Sequence, residues 1–111
     1  MAFDRKLASR VEDCLKALGI HGYKAKQMFG GIGYFVNGNM ACGIHQEKLI
    51  VRVGPDAYRA ALEQCFTAPF DLTGRPMRGW VYVDSFAIKN KESLLSWVKQ
   101  GVDFAGRLPK K

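Results

Sequence analysis

Two alternating apolar stretches, 32–36 and 39–45, are joined by Asn37-Gly38, and this restricts the fold more than any other feature of the chain. A type I′ turn needs positive φ at both central residues, and Asn-Gly supplies it at little steric cost with a twist that suits paired strands. The dipeptide therefore predicts a two-residue hairpin with Val36 opposite Asn39, Phe35 opposite Met40 and Gly33 opposite Cys42. In that register Phe35, Met40, Cys42 and Ile44 share one face. Alternation continues on both sides. Residues 23–29 predict a preceding strand with Lys24 and Lys26 toward water, ending at Gly30-Gly31, and Gln46-Glu47-Lys48 turns the chain into a strand over 49–53. Three or four sequential antiparallel strands make a meander.

Helical periodicity flanks this sheet. Leu7, Val11, Cys14, Leu15 and Leu18 line one face of a helix over 4–18, with Asp4 as N-cap and Gly19 just past its end. Gly54-Pro55-Asp56 predicts a helix entry with Pro55 at the first helical position, followed by a short helix carrying Ala57, Tyr58, Ala61, Leu62 and Cys65. The Pro- and Gly-bearing connection 67–78 is expected to be irregular, with a short edge strand near 70–72, before a strand over 80–83. Asn90 caps a last helix with an apolar face of Leu94, Leu95, Val98, Val102 and Ala105, after which the tail 108–111 should fray. Helix, meander, helix, one or two strands, helix is an α+β order: an antiparallel sheet of about five strands covered by three helices, in a single domain 1–111.

With 48% hydrophobic and 24% charged residues the chain should fold, and it lacks an apolar run of membrane-spanning length. The opening Met-Ala-Phe-Asp-Arg-Lys puts charges where a signal peptide needs an apolar stretch, so a cytoplasmic protein is expected. Cys14, Cys42 and Cys65 are odd in number and widely spaced, so disulfides are not expected, and each falls on an apolar-periodic position, which predicts three buried thiols. A net charge of +7 favours nucleic acid or acidic partners, but the seventeen Lys and Arg are scattered along the chain.

Several strings invite a chemical reading. Gly30-Gly31-Ile32-Gly33 precedes a strand and so lacks the helix that a phosphate loop or dinucleotide fingerprint requires; it reads as a tight turn or bulge. Cys42-x-x-His45 would place its two side chains on opposite faces of a strand, which defeats both chelation and a nucleophile–base pair. Gly74-Arg75-Pro76-Met77-Arg78-Gly79-Trp80 could hold a phosphate or stack on a base; the alternative is a strand entry whose arginines pair with Asp71 or Asp84.

Residues 28–43, from Met28-Phe29-Gly30-Gly31 through Asn37-Gly38 to Gly43, resemble the N-terminal domain of the TfoX/Sxy regulators of competence genes. So do 49–54, then 71–83, and the closing Leu94-Leu95-Ser96-Trp97-Val98. Met28, Phe29, Gly30, Gly31, Asn37 and Gly38 are the signature positions. The resemblance implies a sheet-and-helix fold like that of type III secretion chaperones, with no enzymatic activity and no cofactor. It also implies action in transcription regulation beside the cyclic-AMP receptor protein. Full-length members carry a second, helical C-terminal domain, so this chain is expected to be a stand-alone form. The leading expectation is a non-catalytic regulatory or protein-interaction module, with a homodimer as one form of that contact. The rivals are direct nucleic-acid binding through Lys24, Lys26, Arg52, Arg75 and Arg78, and an enzyme using Cys42 or His45.

Overall fold

The structure, a computed structural model, describes residues 3–28, 30–71 and 76–110. Phe29, Leu72, Gly74 and Arg75, to which expectations were attached above, lie outside the described residues. Helix α1 (Arg5–Ala17) is followed by β1 (Lys24–Met28), β2 (Gly31–Val36), β3 (Asn39–His45) and β4 (Lys48–Arg52). Helix α2 (Tyr58–Leu62), β5 (Thr67–Pro69), β6 (Trp80–Val83), a 3-10 turn (Ser85–Ile88) and helix α3 (Lys91–Arg107) complete the chain. The strands form one antiparallel sheet in the order β1-β2-β3-β4-β6-β5, an α+β fold with one strand more than the pattern predicted.

The ends of the long helices follow from their sequences. The Asp4 carboxylate accepts from the Lys6 and Leu7 amides at 2.9 and 3.2 Å, satisfying two donors that the first turn leaves free. At the other end Gly19, at φ 79°, lets its amide reach the Lys16 carbonyl and the Ile20 amide reach that of Leu15, a Schellman closure. Asn90 caps α3 through the Ser93 amide at 2.7 Å.

The hairpin turn has positive φ at Asn37 and Gly38, and Val36↔Asn39 and Phe35↔Met40 pair as expected. The next expected pair does not form. The register shifts after Phe35, so that Tyr34 rather than Gly33 faces Cys42, and Gly33 faces Gly43. Ala41 is the extra residue of a β-bulge, which a turn-based register cannot foresee because a bulge inserts a residue without changing the loop. Its consequence is a change of face. Phe35 and Met40 stay on one side of the sheet, while Cys42 and Ile44 turn to the other with Tyr34, Leu49, Val51, Val81 and Val83.

That second side is the core. It packs against Leu7, Val11 and Leu15 of α1 and Leu94, Trp97, Val98 and Ala105 of α3. Trp97 was not expected there, since the predicted stripe followed aliphatic residues and passed over it. Gly101 lets α3 close onto the bulge: a Cβ at that position would run into the Ala41 carbonyl. Tyr34 crosses the core to α1, its hydroxyl 3.1 Å from the Glu12 carboxylate and 3.4 Å from the Ala8 carbonyl. Arg10 ties α1 to the 3-10 turn, donating to the Ile88 and Lys89 carbonyls at 2.6 and 3.2 Å.

Other expectations shift. Pro55 lies in a turn before α2, which begins at Tyr58, so it does not occupy the first helical position. Cys65 falls beyond the end of α2 and is exposed, unlike Cys14 and Cys42. The edge strand is Thr67–Pro69, earlier than 70–72; Pro69 is tolerated because an outermost strand has no neighbour for the missing amide on its far side. Pro109, expected to fray, is held: buried Asn39 donates to its carbonyl at 3.0 Å, tying it to the hairpin.

Candidate functional site

Strand alternation and pairing sort every sheet residue onto one of two faces. The face away from α1 and α3 carries Lys24, Lys26 and Met28 of β1, Gly31, Gly33 and Phe35 of β2, Met40, Gly43 and His45 of β3, and Lys48, Ile50 and Arg52 of β4. Tyr82 and Trp80 continue it onto β6.

Its centre is short of side chains. Gly31, Gly33 and Gly43 lie close together on the adjacent strands β2 and β3; Met40 lies over Gly33 and Gly43, and a hollow of about 310 Å³ opens beside it over Gly31. Met28, Met40, Met77, Ile50, Phe70 and Trp80 supply most of the apolar wall, and His45 stands at the margin. The glycines are required by close approach. A Cβ on Gly43 would sit 2.7 Å from the Ile32 carbonyl oxygen and 2.7 Å from Met40 Cε; one on Gly33 would sit 3.1 Å from the same methyl. Met40 can therefore lie across the sheet only because these positions are bare. On Gly31 a Cβ would collide with the Ile44 carbonyl. Gly30, at φ 75°, makes the turn into β2, a conformation that glycine adopts freely.

An aromatic rim braces the β6 side. Phe70 meets Tyr82 edge-on at 5.0 Å and Trp80 at 6.1 Å between ring centres. The Phe70 carbonyl accepts from the Met77 amide at 2.9 Å, which sets Met77 beside Phe70. Burial and then nearby Asp71 push the Tyr82 hydroxyl above its ordinary acidity range.

Charge is also sorted. Every charged residue within a strand is cationic, namely Lys24, Lys26, Lys48 and Arg52, and all four project on the open face. Lys24 and Lys26 are exposed. Arg52, the last residue of β4, is half-buried with its guanidinium over the Trp80 ring at 5.0 Å and, reaching round the strand end toward α3, over the Phe104 ring at 5.4 Å, and Lys48 lies over Tyr82 at 5.5 Å. Arg78, exposed in the turn before β6, makes no salt bridge to Asp71 or Asp84; the ion pair among the described residues is Lys99–Asp103 on α3. Of the anion-contact residues named from sequence, the structure thus brings Lys24, Lys26 and Arg52 onto one face, puts Arg78 at its margin and leaves Arg75 outside the description.

The cysteines do not join this face. Cys42 is buried among core residues on the helix side, and desolvation pushes its thiol up to about 12 from an ordinary 9.0. His45 projects from the opposite face of the same strand. A thiolate at Cys42 relayed by His45 has no geometry here. Among the described residues no three of His, Cys, Asp and Glu gather where a metal could be held.

Sequence reading found the signature glycines but not the hollow. Gly31 and Gly33 alternate, so a shared face was legible. Gly43 joins them only through the bulge, and Phe70 and Met77 arrive from an irregular connection with no periodicity to follow.

Comparison with curated proteins and with solved structures gives no match. A sequence model of the TfoX N-terminal domain matches residues 13–105 of the 111, a span that takes in the last turn of α1, the whole sheet and almost all of α3. The chain belongs to the TfoX N-terminal domain family and is a competence-regulator-like domain.

Proposed function

We propose that this is a non-catalytic regulatory domain that meets a protein partner through the open face of its sheet. The observation that carries this reading is the Met-lined hollow on the face that α1 and α3 leave bare. Exposed apolar surface of this kind is costly in water and marks interaction sites in soluble domains, and methionine lines adaptable ones. No helix of the described residues is long and apolar enough to cross a membrane. The resemblance to competence regulators points to transcription regulation as the setting, with the cyclic-AMP receptor protein or transcription machinery as the kind of partner.

Site-specific photo-crosslinking tests the reading. A photoreactive residue in place of Met77 should capture a discrete protein in cells, and the same residue in place of Lys99 on α3 should not. Capture from position 99 alone, or from neither position, would refute it. Sedimentation at high concentration tells a second copy of the chain from a foreign partner.

Direct nucleic-acid binding is the second reading, favoured by the four cations of the strands. Arg52 is half-buried over aromatic rings, which leaves Lys24, Lys26, Lys48 and Arg78 as the exposed contacts. Binding to arbitrary duplex DNA that weakens steeply with salt would support it, and no binding at low salt would remove it.

A further inference from the structure

We propose that the hollow receives the apolar side chains of an acidic amphipathic helix; this rests on the protein-interaction reading above and specifies the chemistry of the partner. Three features converge on it. First, the hollow lies over Gly31 and is walled by Met28 of β1, Met40 of β3, Ile50 of β4 and Phe70, Met77 and Trp80 on the β6 side, so an apolar side chain can enter it from the open face. Second, about 310 Å³ with almost wholly apolar walls suits one or two bulky aliphatic or aromatic side chains and offers nothing to a polar group beyond His45 at its edge. Helix-in-groove recognition uses such anchors one turn apart, and three methionines can repack around differing ones. Third, the strand charges on this face are cationic without exception. Asp71 and Asp84 at the β5–β6 margin offset part of that charge, so carboxylates on the incoming helix would be met best on the β1 side, by Lys24 and Lys26.

The test is fluorescence anisotropy with three labelled synthetic helical peptides. One carries leucines one turn apart and glutamates elsewhere; the second has lysine for each glutamate; the third keeps the glutamates and has alanine for each leucine. The first should bind, and the other two should bind about tenfold more weakly or worse. Met77→Glu, at a partly exposed residue on the wall, should weaken the first peptide about tenfold, and Lys99→Glu on α3 should leave it unchanged. Lys24→Glu with Lys26→Glu should weaken it and flatten its salt dependence. Equal binding of the glutamate and lysine peptides, indifference to Met77→Glu, or displacement of the peptide by duplex DNA at equal concentration would overturn the proposal. If photo-crosslinks map to position 77 while the glutamate peptide fails to bind, the partner chemistry is wrong and the interaction reading stands. If position 77 captures nothing, the reading itself falls.

Discussion

Replacing Gly43 by alanine adds one methyl group beneath Met40 on the open face, where the Cβ would lie 2.7 Å from the Ile32 carbonyl oxygen, 2.7 Å from Met40 Cε and 3.4 Å from Gly33 Cα. The Met40 methyl is the far end of a flexible side chain and can swing aside. The Ile32 carbonyl is backbone in the neighbouring strand, so β2 and β3 must part by some tenths of an ångström next to the bulge. Overpacking of this kind costs roughly 1–3 kcal/mol, and the smaller conformational freedom of unfolded alanine returns about 0.4–1 kcal/mol. The net expectation is a loss of about 1.5 kcal/mol. At roughly 2.1 cal/mol/K of unfolding entropy per residue, this corresponds to a Tm lower by about 6 °C for a chain of this length. Urea unfolding followed by Trp80 and Trp97 fluorescence measures the same quantity, with an unchanged slope if only the native state is affected. Met40→Ala combined with Gly43→Ala should recover part of the loss relative to the sum of the single changes, because one of the two clashes is gone. A Gly43→Ala protein as stable as the original would show that this position tolerates a side chain, and the explanation of the bare strip would be wrong.

Gly101→Ala and Gly106→Ala make the same change on one helix with opposite expected signs. A Cβ at Gly106 meets nothing within 4 Å and should stabilise by about 0.5–1 kcal/mol through helix propensity, whereas at Gly101 it meets the Ala41 carbonyl and should lower stability by about 2 kcal/mol in the same urea assay. Thiol labelling of the native protein should modify Cys65 quickly and Cys14 and Cys42 only on unfolding; rapid reaction of all three would contradict the packing. Burial holds the Cys42 thiol at about 12 and, aided by Glu12, lifts the Tyr34 hydroxyl well above its ordinary 10.0. Both groups are held protonated by the fold. Their contribution is therefore complete below the ordinary values of 9.0 and 10.0 and is lost as pH climbs past them, so urea midpoints should be insensitive to these groups near neutrality and fall above about pH 9. Tyr34→Phe should shrink the alkaline fall, and an unchanged slope would remove Tyr34 as its source.

The hairpin, the caps at Asp4 and Asn90 and the orientation of Lys24 and Lys26 could be read from sequence because each depends on residues near in the chain. Asn-Gly fixes its own turn whatever surrounds it. The misreadings share a different cause. The bulge at Ala41 is set by how α3 and the sheet close on each other through Gly101, a contact between residues sixty apart, and it put Phe35 and Met40 on the face opposite Cys42 and Ile44. Pro55 is a good first helical residue in isolation, yet α2 starts later, after a turn that follows Gly54 at φ 88°. Cys65 has helical spacing from Ala61, but the helix has already ended. The candidate site depended on this same bulge, which brings Met40 and Gly43 to one face although they are three residues apart. Two-residue alternation places such a pair on opposite faces.

The methionine methyl groups report most directly on whether the open face is where this domain binds. In protein labelled with 13C at the methionine methyls, the Met28, Met40 and Met77 resonances should move together when the glutamate peptide or a captured partner is added, with backbone amides of α1 and α3 left in place. If the α1 or α3 amides shift while those three methyl signals stay fixed, the binding surface lies on the helices and the account is wrong.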